Sequence, residues 1–154
     1  MELGCGTGMI STLAAKKGAL VTATDINPAA IENVELNAGK NGVTIQSILS
    51  DLFEGISQQV FDYIIINPPY YPKEPLNKAE EAWYCGANFE YFEKLFHQLG
   101  SHFDETSQVY MILSEDCELE KIKSIAAEKK IDFEKVLQRI KQGEENYIFR
   151  IRKS

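Results

Sequence analysis

Two stretches of this chain carry residues whose types and spacing could do chemistry. Near the start, Glu2-Leu3-Gly4-Cys5-Gly6-Thr7-Gly8 sets glycine at every second position behind a carboxylate. Such a loop lets the main chain approach a ligand closely, and a helix opening after it offers unpaired N–H groups. Further on, Ala23-Thr24-Asp25-Ile26 ends a β-prone run in a carboxylate that could accept two neighbouring hydroxyls. Charged hydrogen bonds of that kind contribute about 1.5–3 kcal/mol each. The second stretch is an apolar run closing in Asn67-Pro68-Pro69-Tyr70: an amide, a stiff turn and an aromatic face.

The elements between these stretches have to position them. From Gly8 to Lys17, Ile10, Leu13 and Ala14 fall on one helical face. Leu20 to Thr24 is β-prone. Asn27 suits a helix N-cap with Pro28 at the first position, where a missing N–H costs nothing. Ile31, Val34 and Ala38 form that helix's buried stripe, and Asn41-Gly42 ends it. Thr44 to Leu49 is more polar, as an edge strand should be. Residues 61–66 are nearly all apolar, the pattern of a parallel strand covered on both faces. Residues 70–87 form a long polar loop, and long loops tend to be functional. A helix opens at Asn88 with Phe89, Phe92, Leu95, Phe96 and Leu99 inward, closing at Gly100. Val109 to Leu113 is a buried strand, followed by a helix carrying Leu119, Ile122, Ile125 and Ala126. Residues 133–141 and 147–152 flank a turn at Gly143-Glu144, and Tyr147, Phe149 and Ile151 alternate with polar neighbours: an antiparallel hairpin. Strands alternating with helices, then a hairpin, predict an α/β three-layer sandwich, Rossmann-like, whose mostly parallel sheet is closed by one reversed strand.

Composition narrows the function. The 154 residues suit one domain over 1–154, at 44% hydrophobic and 25% charged. No apolar run approaches the roughly 20 residues of a membrane span, and no signal peptide precedes the glycine loop. Cys5, Cys85 and Cys117 are odd in number and form no Cys-x-x-Cys pair. That predicts a reducing, cytoplasmic setting and no metal site. The net charge of −7 opposes a phosphate backbone and favours a protein or small-molecule substrate. The late basic residues Arg139, Lys141, Arg150, Arg152 and Lys153 read as a solvated sheet edge.

A dinucleotide would want G-x-G-x-x-G/A; counted from Gly4, the third position is Met9, too large for that close helix packing. Glu2 sits where a carboxylate could balance a cationic ligand. Taken with Asp25 and Asn67-Pro68-Pro69-Tyr70, the loop resembles the class I S-adenosylmethionine-dependent methyltransferases, and among them the small-domain methylases related to release-factor glutamine methyltransferases. The likeness spans essentially the whole chain. It implies a seven-stranded sheet with the last strand antiparallel. It also implies cofactor contacts from Glu2, Gly4, Cys5, Gly6, Gly8, Asp25, Ile26, Asp51, Leu52 and Asn67, with Asp51 accepting from an adenine amino group. Only Met1, Glu2 and Leu3 precede the loop, so the expectation is a truncated first strand and a longer natural product.

The amides and exocyclic amines methylated in that superfamily are poor nucleophiles because their lone pair is conjugated; amide resonance alone gives a rotation barrier of about 18–20 kcal/mol. Two acceptors aimed at the two N–H bonds, the Asn67 side-chain oxygen and the Pro68 carbonyl, would let the nitrogen become tetrahedral as it attacks. Pro69 stiffens the turn, Tyr70 offers a stacking face, and Trp83 and Tyr84 could line a substrate groove. In-line positioning can supply up to about 7–11 kcal/mol. Asn67, Pro68 and Tyr70 are therefore the candidate catalytic residues. The leading substrate is a protein glutamine, such as that of a peptide chain release factor. The alternatives are an adenine amino group of RNA or DNA, a non-catalytic partner subunit, and a dinucleotide-dependent oxidoreductase. The segment Ala82-Trp83-Tyr84-Cys85-Gly86-Ala87-Asn88 is poorer in glycine than the matching segment of glutamine methyltransferases.

Overall fold

A computed structural model describes residues 1–141 and 143–154. Twelve elements follow in chain order: β1 (Glu2–Leu3), α1 (Met9–Lys16), β2 (Thr22–Asp25), α2 (Pro28–Asn41), β3 (Gln46–Leu49), β4 (Tyr63–Ile66), a 3₁₀ turn (Glu80–Ala82), α3 (Glu90–Leu99), β5 (Gln108–Ser114), α4 (Leu119–Glu128), β6 (Ile131–Lys141) and β7 (Glu144–Lys153). The strands form a seven-stranded sheet in the order β3-β2-β1-β4-β5-β7-β6, in which β7 runs antiparallel to its neighbours β5 and β6. This is the mostly parallel α/β architecture expected from the alternating pattern, and β3 lies at an edge as its polarity predicts. The chain divides into two compact units, Met1–Ser57 and Gln58–Ser154.

In the first unit, β1, β2 and β3 are parallel, with Leu3 beside Thr24 and Asp25 beside Leu49. Helix α2 begins as its sequence requires: the Asn27 side chain accepts from the Ala29 N–H at 3.0 Å, Pro28 takes the first turn, and Gly42 closes the helix in the left-handed conformation. Val34 meets Ala23 and Cys5 in a small apolar cluster, with Ile31 and Ile45 packed against it.

Helix α1 turns the other way from the apolar stripe. Ser11 and Thr12 are buried, whereas Ile10 and Leu13 are exposed and Ala14 is half-buried. Two contacts explain the correction. The buried Glu2 carboxylate takes the Ser11 N–H at 2.8 Å and its hydroxyl as well. Gly8, buried at the helix start, lies so close to Val34 that an added Cβ would stand 2.7 Å from Val34 Cγ2. Gly8, Ser11 and Thr12 share one helical face, and these two anchors turn it inward at the expense of Ile10 and Leu13.

In the second unit, β4 and β5 are parallel and β7 is antiparallel to both β5 and β6. Phe92, Phe96 and Leu99 of α3 and Ile122 and Ile125 of α4 are buried with Met111, Leu113, Phe149 and Ile151 of the strands. Phe96, Phe133 and Phe149 form an aromatic chain with ring centroids 5.8 and 5.5 Å apart, pairs that contribute about 0.5–1.5 kcal/mol beyond burial. Two expectations are corrected here. Strand β4 is fully buried on one face only: Ile64 and Ile66 are inside, Ile65 is half-buried and Tyr63 is exposed. Helix α3 starts at Glu90, two residues later than Asn88, after Phe89 at φ 63°, because the Glu90 carboxylate folds back onto the Asn88 N–H at 2.9 Å.

Candidate active site

At the carboxyl edge of the first unit's strands, the chain reverses three times. The first reversal is the glycine loop, where Gly4, Gly6 and Gly8 all have positive φ (70°, 52° and 69°). The loop is held by hydrogen bonds within the chain: Cys5 N–H donates to the Thr24 carbonyl, Gly8 N–H to the Cys5 carbonyl, and the Asn37 amide to the Thr7 carbonyl at 2.8 Å. An added Cβ at Gly4 or Gly6 would meet no protein atom within 4 Å. Gly4 and Gly6 therefore border open space, while Gly8 is committed to packing.

The second reversal follows β2. Asp25 Oδ2 accepts from the Gly6 N–H and Oδ1 from the Asn27 N–H, each at 2.9 Å. One carboxylate thus ties the glycine loop to the start of α2. An ionised carboxylate has about four acceptor positions, so each oxygen keeps capacity for one more donor. Ile26, next in sequence, is exposed.

The third reversal follows β3. Ser50 N–H donates to the Asp25 carbonyl, and the Ser50 hydroxyl bridges the Leu52 carbonyl and the Gly55 N–H at 2.9 and 2.8 Å. Leu52 is buried at φ 53°, a region that costs a bulky residue strain of about 1–3 kcal/mol. Asp51 beside it is half-buried. Cys5 is buried against Ala23 and Val34, and that burial pushes its thiol up to about 12. Burial also raises the Glu2 carboxyl above its ordinary value, against the lowering effect of its Ser11 hydrogen bonds.

The second unit holds the other stretch at the carboxyl end of β4. Asn67 is exposed, and among the described residues its side chain makes no hydrogen bond. Pro68 is buried and Pro69 half-buried, which anchors the turn. The Tyr70 ring lies 4.7 Å from that of Tyr71, tilted by 52°. Tyr71 then pins the long loop: its N–H donates to the Trp83 carbonyl, its carbonyl accepts from the Cys85 N–H, and its hydroxyl reaches Asp116 after β5 at 3.4 Å. The Lys73 ammonium sits 4.5 Å above the Tyr84 ring. Trp83 is 61% exposed, so its main chain holds the loop while its indole stands in solvent. Gly86, at φ 88°, packs against Glu90 so closely that a Cβ would collide with the carboxylate.

Several of these positions escape sequence reasoning. Ser11 carries a signal in retrospect, a polar residue one turn inside a helix behind a carboxylate. Asn37 and Tyr71 carry none, because their partners lie far off in sequence, and the Ser50 hydroxyl carries none because its bonds depend on how the turn after β3 closes. No helix of the described residues is long and apolar enough to cross a membrane.

A provisionally named protein N5-glutamine methyltransferase of Methanocaldococcus jannaschii is 44% identical over 81 residues, covering 52% of this chain and 41% of that one. The release factor glutamine methyltransferase of Aquifex aeolicus is 30% identical over 128 residues, covering 75% and 46%. The chain thus spans less than half the length of these relatives. Among solved structures, a ribosomal protein L11 methylase from Lactobacillus delbrueckii subsp. bulgaricus aligns with a TM-score of 0.70 at 26% identity, over 99% of this chain and 68% of that one. The model of the methyltransferase small domain matches residues 1–122. The chain belongs to the methyltransferase small-domain family.

Proposed function

We propose that this chain carries the catalytic fold of an S-adenosylmethionine-dependent N-methyltransferase whose acceptor is the side-chain amide of a protein glutamine, of the kind found in peptide chain release factors. The observation that carries the reading is Asn67: an exposed amide that makes no side-chain hydrogen bond among the described residues, fixed at a strand end by a buried proline. The names of the M. jannaschii and A. aeolicus relatives support the choice of glutamine. The net charge of −7 supports a protein over a nucleic acid, and the absence of any disulfide among the three buried cysteines accords with a cytoplasmic setting.

The residues present fit the cofactor. Open space beside Gly4 and Gly6 accommodates its close approach, and Asp25 retains acceptor capacity for two ribose hydroxyls. Leu52 and Ile26 supply apolar contact, and Asp51 an acceptor for the adenine amino group. Glu2 contributes negative charge, although its carboxylate is engaged by Ser11, so it acts on the ligand through the field and the shape of the loop. When bound, the sulfonium supplies an electrophilic methyl group.

The chain's own residues then have three tasks. Asn67 Oδ1 and the Pro68 carbonyl accept the two amide N–H bonds, drawing the nitrogen out of conjugation as positive charge develops on it. Tyr70 stacks on the planar amide, and Trp83 contacts the flanking peptide. The surplus proton leaves to solvent after transfer.

Incorporation of labelled methyl from S-adenosylmethionine into a purified release factor tests the proposal. Label in the glutamine is the expected result; label only in tRNA, rRNA or DNA would replace it by adenine methylation.

A further inference from the structure

Strand β6 forms one end of the sheet, and its outer edge is eleven residues long. Edges of this length are usually guarded by charge or distortion, because half of their N–H and C=O groups point outward unpaired. The charges of β6 are arranged in an unusual order. Acids stand near its start, at Asp132 and Glu134, bases near its end, at Arg139 and Lys141, and one further base, Lys135, in its middle. Three apolar side chains are exposed along it: Val136 at 47%, Leu137 at 40% and Ile140 at 69%.

A bulge between Lys135 and Leu137 decides which of these share a face. In a regular strand, Glu134 and Arg139 would point to opposite sides. Here Glu134 lies opposite Arg150 and Arg139 opposite Asn146 of β7, whose own register against β5 is unbroken between those residues. The extra residue therefore brings Glu134 and Arg139 to one face of the sheet. By the same registers Asp132 and Lys141 join them, while Phe133 and Ile140 share the other face.

We infer that β6 is a self-complementary interface, pairing antiparallel with β6 of a second copy of this chain about a two-fold axis between Val136 and Leu137. In that register Glu134 faces Arg139 of the second copy, Asp132 faces its Lys141, and Phe133 faces its Ile140. Symmetry doubles each pair. The four exposed Val136 and Leu137 side chains meet at the axis, and the unpaired edge groups are satisfied by strand addition. A parallel pairing would set acid against acid and base against base, so the charge order selects the antiparallel one. Glu134 also holds Arg152 of its own chain at 2.6 Å, and a carboxylate can accept from both arginines.

Sedimentation velocity of the whole chain, from micromolar to submillimolar loading, tests the pairing. The native chain should show a concentration-dependent dimer. Arg139→Glu and Glu134→Arg should each raise the dimer dissociation constant by about tenfold or more, since like charges then face each other. Mixing the two variants should restore a dimer, because every glutamate again meets an arginine across the axis. The Asp132→Lys and Lys141→Asp pair repeats the test should either first variant lose its native circular dichroism. A native chain that stays monomeric, as it would if the edge served a strand of some other protein, overturns the inference. So does a dimer indifferent to the single substitutions, or a mixture of folded variants that remains monomeric.

Discussion

Asp25 Oδ2 lies 2.9 Å from the main-chain nitrogen of Gly6, nineteen residues earlier in the chain. This one hydrogen bond lets the acid that ends β2 shape the loop that follows β1. Its other oxygen holds the Asn27 N–H at the start of α2. Asp25→Ala should therefore do two things at once. Cofactor affinity should fall by about 1.5–3 kcal/mol through the lost ribose contacts. The melting temperature should also drop, because two main-chain donors lose their acceptor. Calorimetric titration with S-adenosylmethionine and a thermal melt separate the effects; unchanged affinity would refute the ribose role.

Gly6 and Gly8 should respond differently to alanine. Gly6→Ala meets no protein atom, so its stability cost should be limited to about 1–2 kcal/mol for the left-handed conformation. Its cofactor affinity should suffer, because the methyl group enters the open space. Gly8→Ala adds a collision with Val34 to the same conformational cost, and overpacking contributes about 1–3 kcal/mol more. Chemical denaturation of the two variants should rank Gly8→Ala as clearly the less stable.

Asn67→Ala should leave cofactor affinity nearly intact and reduce kcat by about two to three orders of magnitude, the usual effect of removing one transition-state hydrogen bond. Because Asn67 is exposed, the melting temperature should hardly move. Turnover at the native rate would reduce the tetrapeptide to a plain turn.

The pH dependence of stability should carry a mark of His102. Burial lowers its pKa, opposed by a hydrogen bond to the Gln59 carbonyl at 3.1 Å. The unfolded chain then binds the extra proton more readily than the folded one. Stability from this group is present above its unfolded value of about 6.5 and is lost as pH falls through the lower folded value. Denaturation midpoints measured downward from neutral pH should decline in the native chain and less steeply in His102→Gln.

The cysteines should be inert. Burial pushes Cys5 up to about 12 and Cys85 and Cys117 up to about 11. Iodoacetamide at mildly alkaline pH should leave the native chain unlabelled and modify all three thiols after denaturation, as mass spectrometry would read directly.

What the sequence by itself determined were features written in a few adjacent residues. The glycine spacing requires a loop of positive φ, Asn27-Pro28 starts a helix, Asn41-Gly42 ends it, and the alternation of Tyr147, Phe149 and Ile151 makes an antiparallel strand. Each depends on local stereochemistry, so each is legible without a partner. Tertiary structure alone decided which faces turn inward and which groups meet. The apolar stripe of α1 points outward because Glu2 and Val34, from other elements, claim its Ser11 and Gly8 side. Leu52 adopts a strained conformation because the Ser50 hydroxyl closes the turn around it. Glu134 and Arg139 share a face because one extra residue in β6 shifts its pleat. In all three the decision rests on contacts that form only in the folded chain, and their contribution in hydrogen bonds or close packing exceeds the small local preference that sequence periodicity reports.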